Sequence, residues 1–199
     1  GTLRTTSTAM TLGAVTLTAN ATLDSSGGTI QITSLAGGNQ NLTLDSDTAT
    51  TQVGGSMTGV ATLDLTNNTT GDYTFGGSVG IATLSTAAQG YAVAFLGGGT
   101  ITNAVTFNNT GGLTFGDDSL DNLLFDGGVA TGSNAVGLAG TLRTSNDAMT
   151  LGDVTLTADG TLGSGGGNIQ IASLAGSGFY LTLAGGIGSG TTTVTNAVT

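Results

Sequence analysis

Apolar and polar residues alternate along this chain in short bursts. Val15-Thr-Leu-Thr-Ala19 sets Val15, Leu17 and Ala19 on one side and Thr16 and Thr18 on the other, and Thr29-Ile-Gln-Ile-Thr33 does the same with Ile30 and Ile32. Asn41-Leu-Thr-Leu44, Tyr73-Thr-Phe75, Val93-Ala-Phe95, Val105-Thr-Phe107 and Leu113-Thr-Phe115 follow the same rule. A period of two is that of a strand with one buried face. Each burst ends in turn residues, including glycine pairs at Gly27-Gly28, Gly37-Gly38, Gly54-Gly55, Gly76-Gly77, Gly111-Gly112, Gly127-Gly128 and Gly185-Gly186. No helical pattern separates the strands. Two-residue hairpin signals are almost absent, with Asp126-Gly127 the main one, which argues against antiparallel meanders.

A long repeat underlies the bursts. Residues 1–44 recur at 140–183, an offset of 139, with 30 of 44 positions identical. The identical pairs include Leu12/Leu151, Val15/Val154, Leu17/Leu156, Ile30/Ile169, Ile32/Ile171 and Leu42/Leu181, while changes such as Thr8/Asp147, Ala14/Asp153, Asn20/Asp159 and Gln40/Phe179 fall between them. An inward apolar row with a permissive outside produces this pattern. Thr100–Thr106 and Thr193–Thr199 form a weaker echo. We therefore expect one continuous unit over 1–199, with 1–139 one repeat period and 140–199 the start of the next. The second copy stops mid-period and the chain lacks an initiator Met, as expected for a window on a tandem array.

Composition sharpens this picture. Thr and Gly make up more than a third of the chain, and Cys, His, Pro, Trp, Lys and Glu are absent. Helices lean on residue types missing here, whereas β-branched Thr suits an exposed pleated face. The absence of Pro suits strands hydrogen-bonded on both sides. Short strands, frequent turns and no helices predict an all-β parallel β-helix, or β-solenoid, with roughly 20–25 residues per coil and about six coils per period. Stacked like charges repel in such a ladder, so the low charge content, 7%, fits as well.

The stretches AMTLGAVTLTANATLDSSGGTIQITSLAGG and TITNAVTFNNTGGLTFGDD resemble the large secreted bacterial repeat proteins of the filamentous-haemagglutinin and autotransporter-passenger kind. That resemblance implies a right-handed parallel β-helix, secretion to the cell surface, and work as an adhesin, filament or surface layer.

A net charge of −10 with only Arg4 and Arg143 as cations excludes a basic nucleic-acid surface. No apolar run approaches the length of a membrane-spanning helix, so neither nucleic acid nor membrane insertion is expected. The expected partner is the protein itself, head-to-tail or laterally, with host or matrix glycans as further ligands. Without His or Cys, and with no aromatic platform beside its acids, the chain is not read as an enzyme. The densest acid cluster, Asp117, Asp118, Asp121 and Asp126, offers the oxygen ligands that calcium takes; the competing reading is a solvated loop whose Asp side chains cap turns. Arg4 and Arg143 occupy one repeat position and are expected to pair with neighbouring Asp residues. Thr16-Leu-Thr18 and Thr155-Leu-Thr157 raise the alternative of an ice- or glycan-binding face, which needs such a pair in every coil. A carbohydrate-active β-helix enzyme would instead need carboxylates converging in a cleft.

Overall fold

Ile30–Asp45 shows how the alternation becomes structure. Ile30, Ile32, Leu35, Leu42 and Leu44 turn inward and are buried, while Gln31 and Thr33 stay exposed. The strand bends between its two apolar stretches at Gly38 and Asn39, whose φ values of 55° and 61° are left-handed. The strand as a whole passes two corners, so that Ile30, Leu35 and Leu44 lie on three successive faces.

The computed structural model describes residues 1–185, 190–196 and 199. Gly186 of the last glycine pair and Ala197-Val198 of the weaker echo lie outside the described residues. Among the described residues there are nineteen strands and no helix, and every strand pairing is parallel. The strands stack as a β-solenoid of about 9 turns, which the expectation of an all-β parallel β-helix anticipated. At a strand spacing of about 4.8 Å the rod is about 43 Å long. Partners along the ladders are mostly twenty to twenty-two residues apart, as in Met10↔Ile30, Ile30↔Thr51 and Thr51↔Tyr73. The Asp126-Gly127 corner turns between parallel strands and makes no hairpin.

Each turn has three faces. The first face opens with Leu3, Leu23, Leu44 and Leu65 in one inward row. Met10, Ile30, Thr51, Tyr73, Val93, Leu113, Val136 and Val154 run down the second. Val15, Leu35, Met57, Val79, Gly99, Leu123, Leu142 and Leu162 run down the third. The rows meet in one core. Its middle turns are filled by aromatics, with Phe75 stacked on Phe95 at 5.0 Å and Phe107, Phe115 and Phe125 in mutual contact.

Following the second face from Met10 takes six turns to Val136, but Met149, the repeat equivalent of Met10, lies two faces further on. It pairs with Val129 and Ile169 on the first face. The 139-residue period therefore spans six turns and two thirds of a seventh, where the sequence suggested about six. The physical reason is coil length: turns nearer twenty-one residues than twenty-three do not divide the period evenly. As a result, the second copy is rotated by a third of a turn about the rod axis relative to the first.

Among the described residues, seven turns have a polar staple at a corner. The side chain of residue i donates to the carbonyl of i+3: Thr5 to Thr8 at 2.6 Å, Ser25 to Gly28, Ser46 to Ala49 at 2.6 Å, Asn68 to Gly71 at 2.6 Å and Asn109 to Gly112 at 3.2 Å. Thr144 to Asp147 at 2.6 Å and Ser164 to Gly167 at 2.5 Å repeat it in the second copy, one face round. These side chains are mostly buried, and the bonds satisfy turn carbonyls that face away from water. In the turn that has Ala87 at this corner, the Tyr91 hydroxyl accepts from the Ala87 N–H at 2.8 Å instead.

Candidate functional site

Three of the four predicted acids come together. Asp117, Asp118 and Asp121 sit in a loop whose carboxylate oxygens lie within 4.8 Å of one another. The loop is an insertion. Gly99 pairs with Leu123, twenty-four residues on, whereas Val79 reaches Gly99 in twenty, and the extra residues bulge out between Phe115 and Asn122. Asp126 is not part of this group; it lies past the following strand, with its N–H on the Ile101 carbonyl at 2.8 Å. The expected four-acid set is thus corrected to three, because a strand, Asn122–Phe125, separates Asp126 from the loop.

The loop's own geometry accounts for much of the carboxylate capacity. Asp121 Oδ2 accepts the N–H groups of Asp117 at 2.9 Å and Asp118 at 3.0 Å, and Asp118 Oδ1 accepts that of Leu120 at 2.6 Å. These are Asx-type caps on a turn. Loss of hydration in the loop, followed by a hydrogen bond shared with Asp121 and repulsion from Asp121 and Asp118, raises the Asp117 pKa above its ordinary value. The Asp117 and Asp118 side chains are exposed and Asp121 is half-buried, and carboxylate oxygens are chemically suited to a hard cation.

The two arginines part company. Arg4 Nε lies 3.0 Å from Asp24 Oδ2, and the guanidinium also donates to Ser26 Oγ. Arg143 faces Gly163 where Arg4 faces Asp24, so it bonds Asn122 Oδ1 at 3.1 Å instead. The expected ion pair forms in the first copy and is replaced by a neutral partner in the second. Asn20 and Asp159 show the opposite case. Both accept the N–H one coil on, from Asn41 at 3.0 Å and Tyr180 at 2.9 Å, so the substitution keeps the bond.

Thr16 and Thr155, the first members of the two Thr-x-Thr pairs, fall on different faces, the third and the second. On the first face an outward Thr2, Thr22, Thr43 row is broken by Asp64. The second face begins with outward Thr11, Gln31 and Gln52 beside a shallow open groove lined also by Ile32, Gly54 and Gly55.

No family model matches the chain, and neither a curated protein nor a solved structure matches it. The molecule supplies its own comparison in the two repeat copies. Leu3, in the first coil of this sequence, is 48% exposed, and Leu142, the same repeat position with a coil stacked before it, is 0% exposed. Leu12 and Val15 are only partly buried, while Leu151 and Val154 are buried. Sequence reading missed the corner staples. A Ser, Thr or Asn just after each apolar burst was the available signal for the staples.

Proposed function

We propose that this chain is a structural module of an extracellular filament, adhesin or surface layer, a rod whose use lies in its length and whose ends join further rod. The observation that carries this reading is the unbroken parallel stack of about 9 turns, in which the second repeat copy continues the ladders of the first without a break. Free strand edges template further pairing, and joining one end to the other gives an open, head-to-tail assembly. An outer face rich in Thr and Asn permits close contact, and the net charge of −10 limits lateral bundling. Secretion and the resemblance to filamentous-haemagglutinin-like repeats belong to the same proposal. On this reading the rod performs no catalysis.

Electron microscopy over rising protein concentration tests the reading. Rods of constant width should appear in multiples of about 43 Å, the length that nine strand spacings give. Single short rods at every concentration would remove the end-to-end reading. A glycan ligand is a second use of the same surface: the Thr11, Gln31 and Gln52 row along the groove offers hydroxyl and amide groups, and a glycan-array screen reads it directly.

A further inference from the structure

Among the described residues, Asn109 Oδ1 is the one buried side-chain oxygen or nitrogen without a hydrogen-bond partner in the protein, and the residue is 2% exposed. Its orientation is fixed. The amide nitrogen donates to the Tyr91 carbonyl at 3.1 Å and to the Gly112 carbonyl at 3.2 Å, and a reversed amide would set its oxygen against both. The neighbouring Asn108 places its N–H on Thr86 Oγ1 at 2.9 Å and its amide on the Thr86 carbonyl at 3.2 Å. Asn108 and Asn109 thus rest against the two ends of the corner formed by residues 86–91 in the coil before. At the Asn68 corner, the matching oxygen accepts the Ser46 N–H from the coil before. At the Ala87 corner a tyrosine intervenes. Tyr91, buried, takes the Ala87 N–H on its hydroxyl at 2.8 Å. That hydroxyl accepts at one lone pair and keeps its hydrogen for a second partner. Burial above all raises the Tyr91 pKa, against the opposing Ala87 N–H bond, so the hydrogen stays in place at neutral pH.

We infer that this corner is a binding site for one water molecule, which accepts from the Tyr91 hydroxyl and donates to Asn109 Oδ1. The inference is independent of the proposed function. Whatever joins these two groups must accept from the first and donate to the second. A metal ion has no hydrogen to donate, and a hard cation takes more oxygens than one amide supplies. An anion without a hydrogen cannot satisfy Oδ1 either. Water does both, and buried waters make two to four such bonds to polar groups that the protein itself leaves unpaired. The relay then runs from the Ala87 N–H through Tyr91 and the water to Asn109, and links two coils that Asn68 and Ser46 link directly one coil earlier.

A high-resolution crystal structure of the 199-residue chain tests this. One ordered water should lie within hydrogen-bonding distance of both Tyr91 Oη and Asn109 Oδ1. A direct bond between those two atoms, or a corner holding no ordered water, would overturn the inference. Tyr91→Phe removes the group that donates to the water and should abolish its density while the coil stays folded, since Phe75 and Phe95 already fill this core. The thermal midpoint should fall by about 2–4 °C, the scale of one hydrogen bond in a chain of this size. Tyr73→Phe is the control, because that hydroxyl donates to the Leu44 carbonyl at 2.9 Å, and the water should remain. A water that persists unchanged in Tyr91→Phe would also overturn the assignment.

Discussion

Asn68 does more than close its corner. Its amide donates to Ser46 Oγ at 2.9 Å and to the Gly71 carbonyl at 2.6 Å, and its Oδ1 accepts the Ser46 N–H at 2.7 Å. It thus ties one turn to the turn before it inside a buried corner. Asn68→Ala should lower stability by about 2–3 kcal/mol, since buried groups lose their partners. Asn109 occupies a corresponding corner and donates to the Tyr91 and Gly112 carbonyls, but its Oδ1 has no partner. Asn109→Ala should cost less than Asn68→Ala, and paired urea titrations read the difference. Asp45 carries a different signal. Burial raises its pKa first of all, repulsion from Asp24 and Asp47 adds to this, and the Asp47 N–H and Arg4 oppose it. In the interval above the ordinary carboxylate value of about 3.9 the folded chain binds this proton more tightly than the unfolded chain. The contribution of Asp45 therefore becomes more favourable as pH falls through the raised pKa and levels off below the ordinary one. Asp45→Asn should flatten the rise in thermal midpoint between pH 7 and 4. An equally steep profile in the variant would assign the slope to other acids.

The loop between Phe115 and Asn122 is the longest departure, among the described residues, from the regular corner between the second and third faces. Asp121→Ala frees the N–H groups of Asp117 and Asp118 and should cost about 1 kcal/mol, the net value of ordinary hydrogen bonds at an exposed site. The Asp117 titration followed by NMR should move back toward the ordinary carboxylate range once Asp121 is gone. At this scale the sequence was informative where burial alternates. Leu42-Thr-Leu44, Tyr73-Thr-Phe75 and Leu113-Thr-Phe115 each place their apolar residues inside and Thr between them, because a period of two has only one way to bury its apolar half. Ala19 was expected inward and is exposed; the strand ends at Thr16, and beyond a strand end alternation no longer dictates direction. The corner staples were illegible for a related reason. A Ser or Asn in a turn reads as solvated, and only the parallel stack turns Ser25, Ser46 and Asn68 toward the interior. The acidic loop was legible as a cluster, but Asp126 was not separable from it without the strand that intervenes.

Rotation of the repeat about the rod axis is a property of the whole molecule that no single coil reveals. One period of six and two-thirds turns carries every surface feature to a neighbouring face, so three successive periods, about twenty turns at this pitch, would bring it back to its starting face. A tandem array would then show the acidic loop and the Thr and Gln rows as a staircase around the rod, available from every side. A one-sided ligand-binding plane is the opposite design, since it needs a period that is a whole number of turns. The chain contains no Cys, so paired spin labels can measure the rotation directly. Thr11 and Thr155 are outward and exposed on the same face, joined through Gln31, Gln52, Thr74, Ala94, Thr114 and Gly137. Seven spacings put their backbones about 34 Å apart. Thr150, the repeat equivalent of Thr11, is nearer along the axis but faces another side. Labels at Thr11→Cys and Thr150→Cys should therefore lie farther apart than labels at Thr11→Cys and Thr155→Cys, by about 10 Å for side chains projecting from a rod of this girth. A shorter distance for the first pair would mean that the period closes on whole turns, and the staircase would give way to a single decorated face.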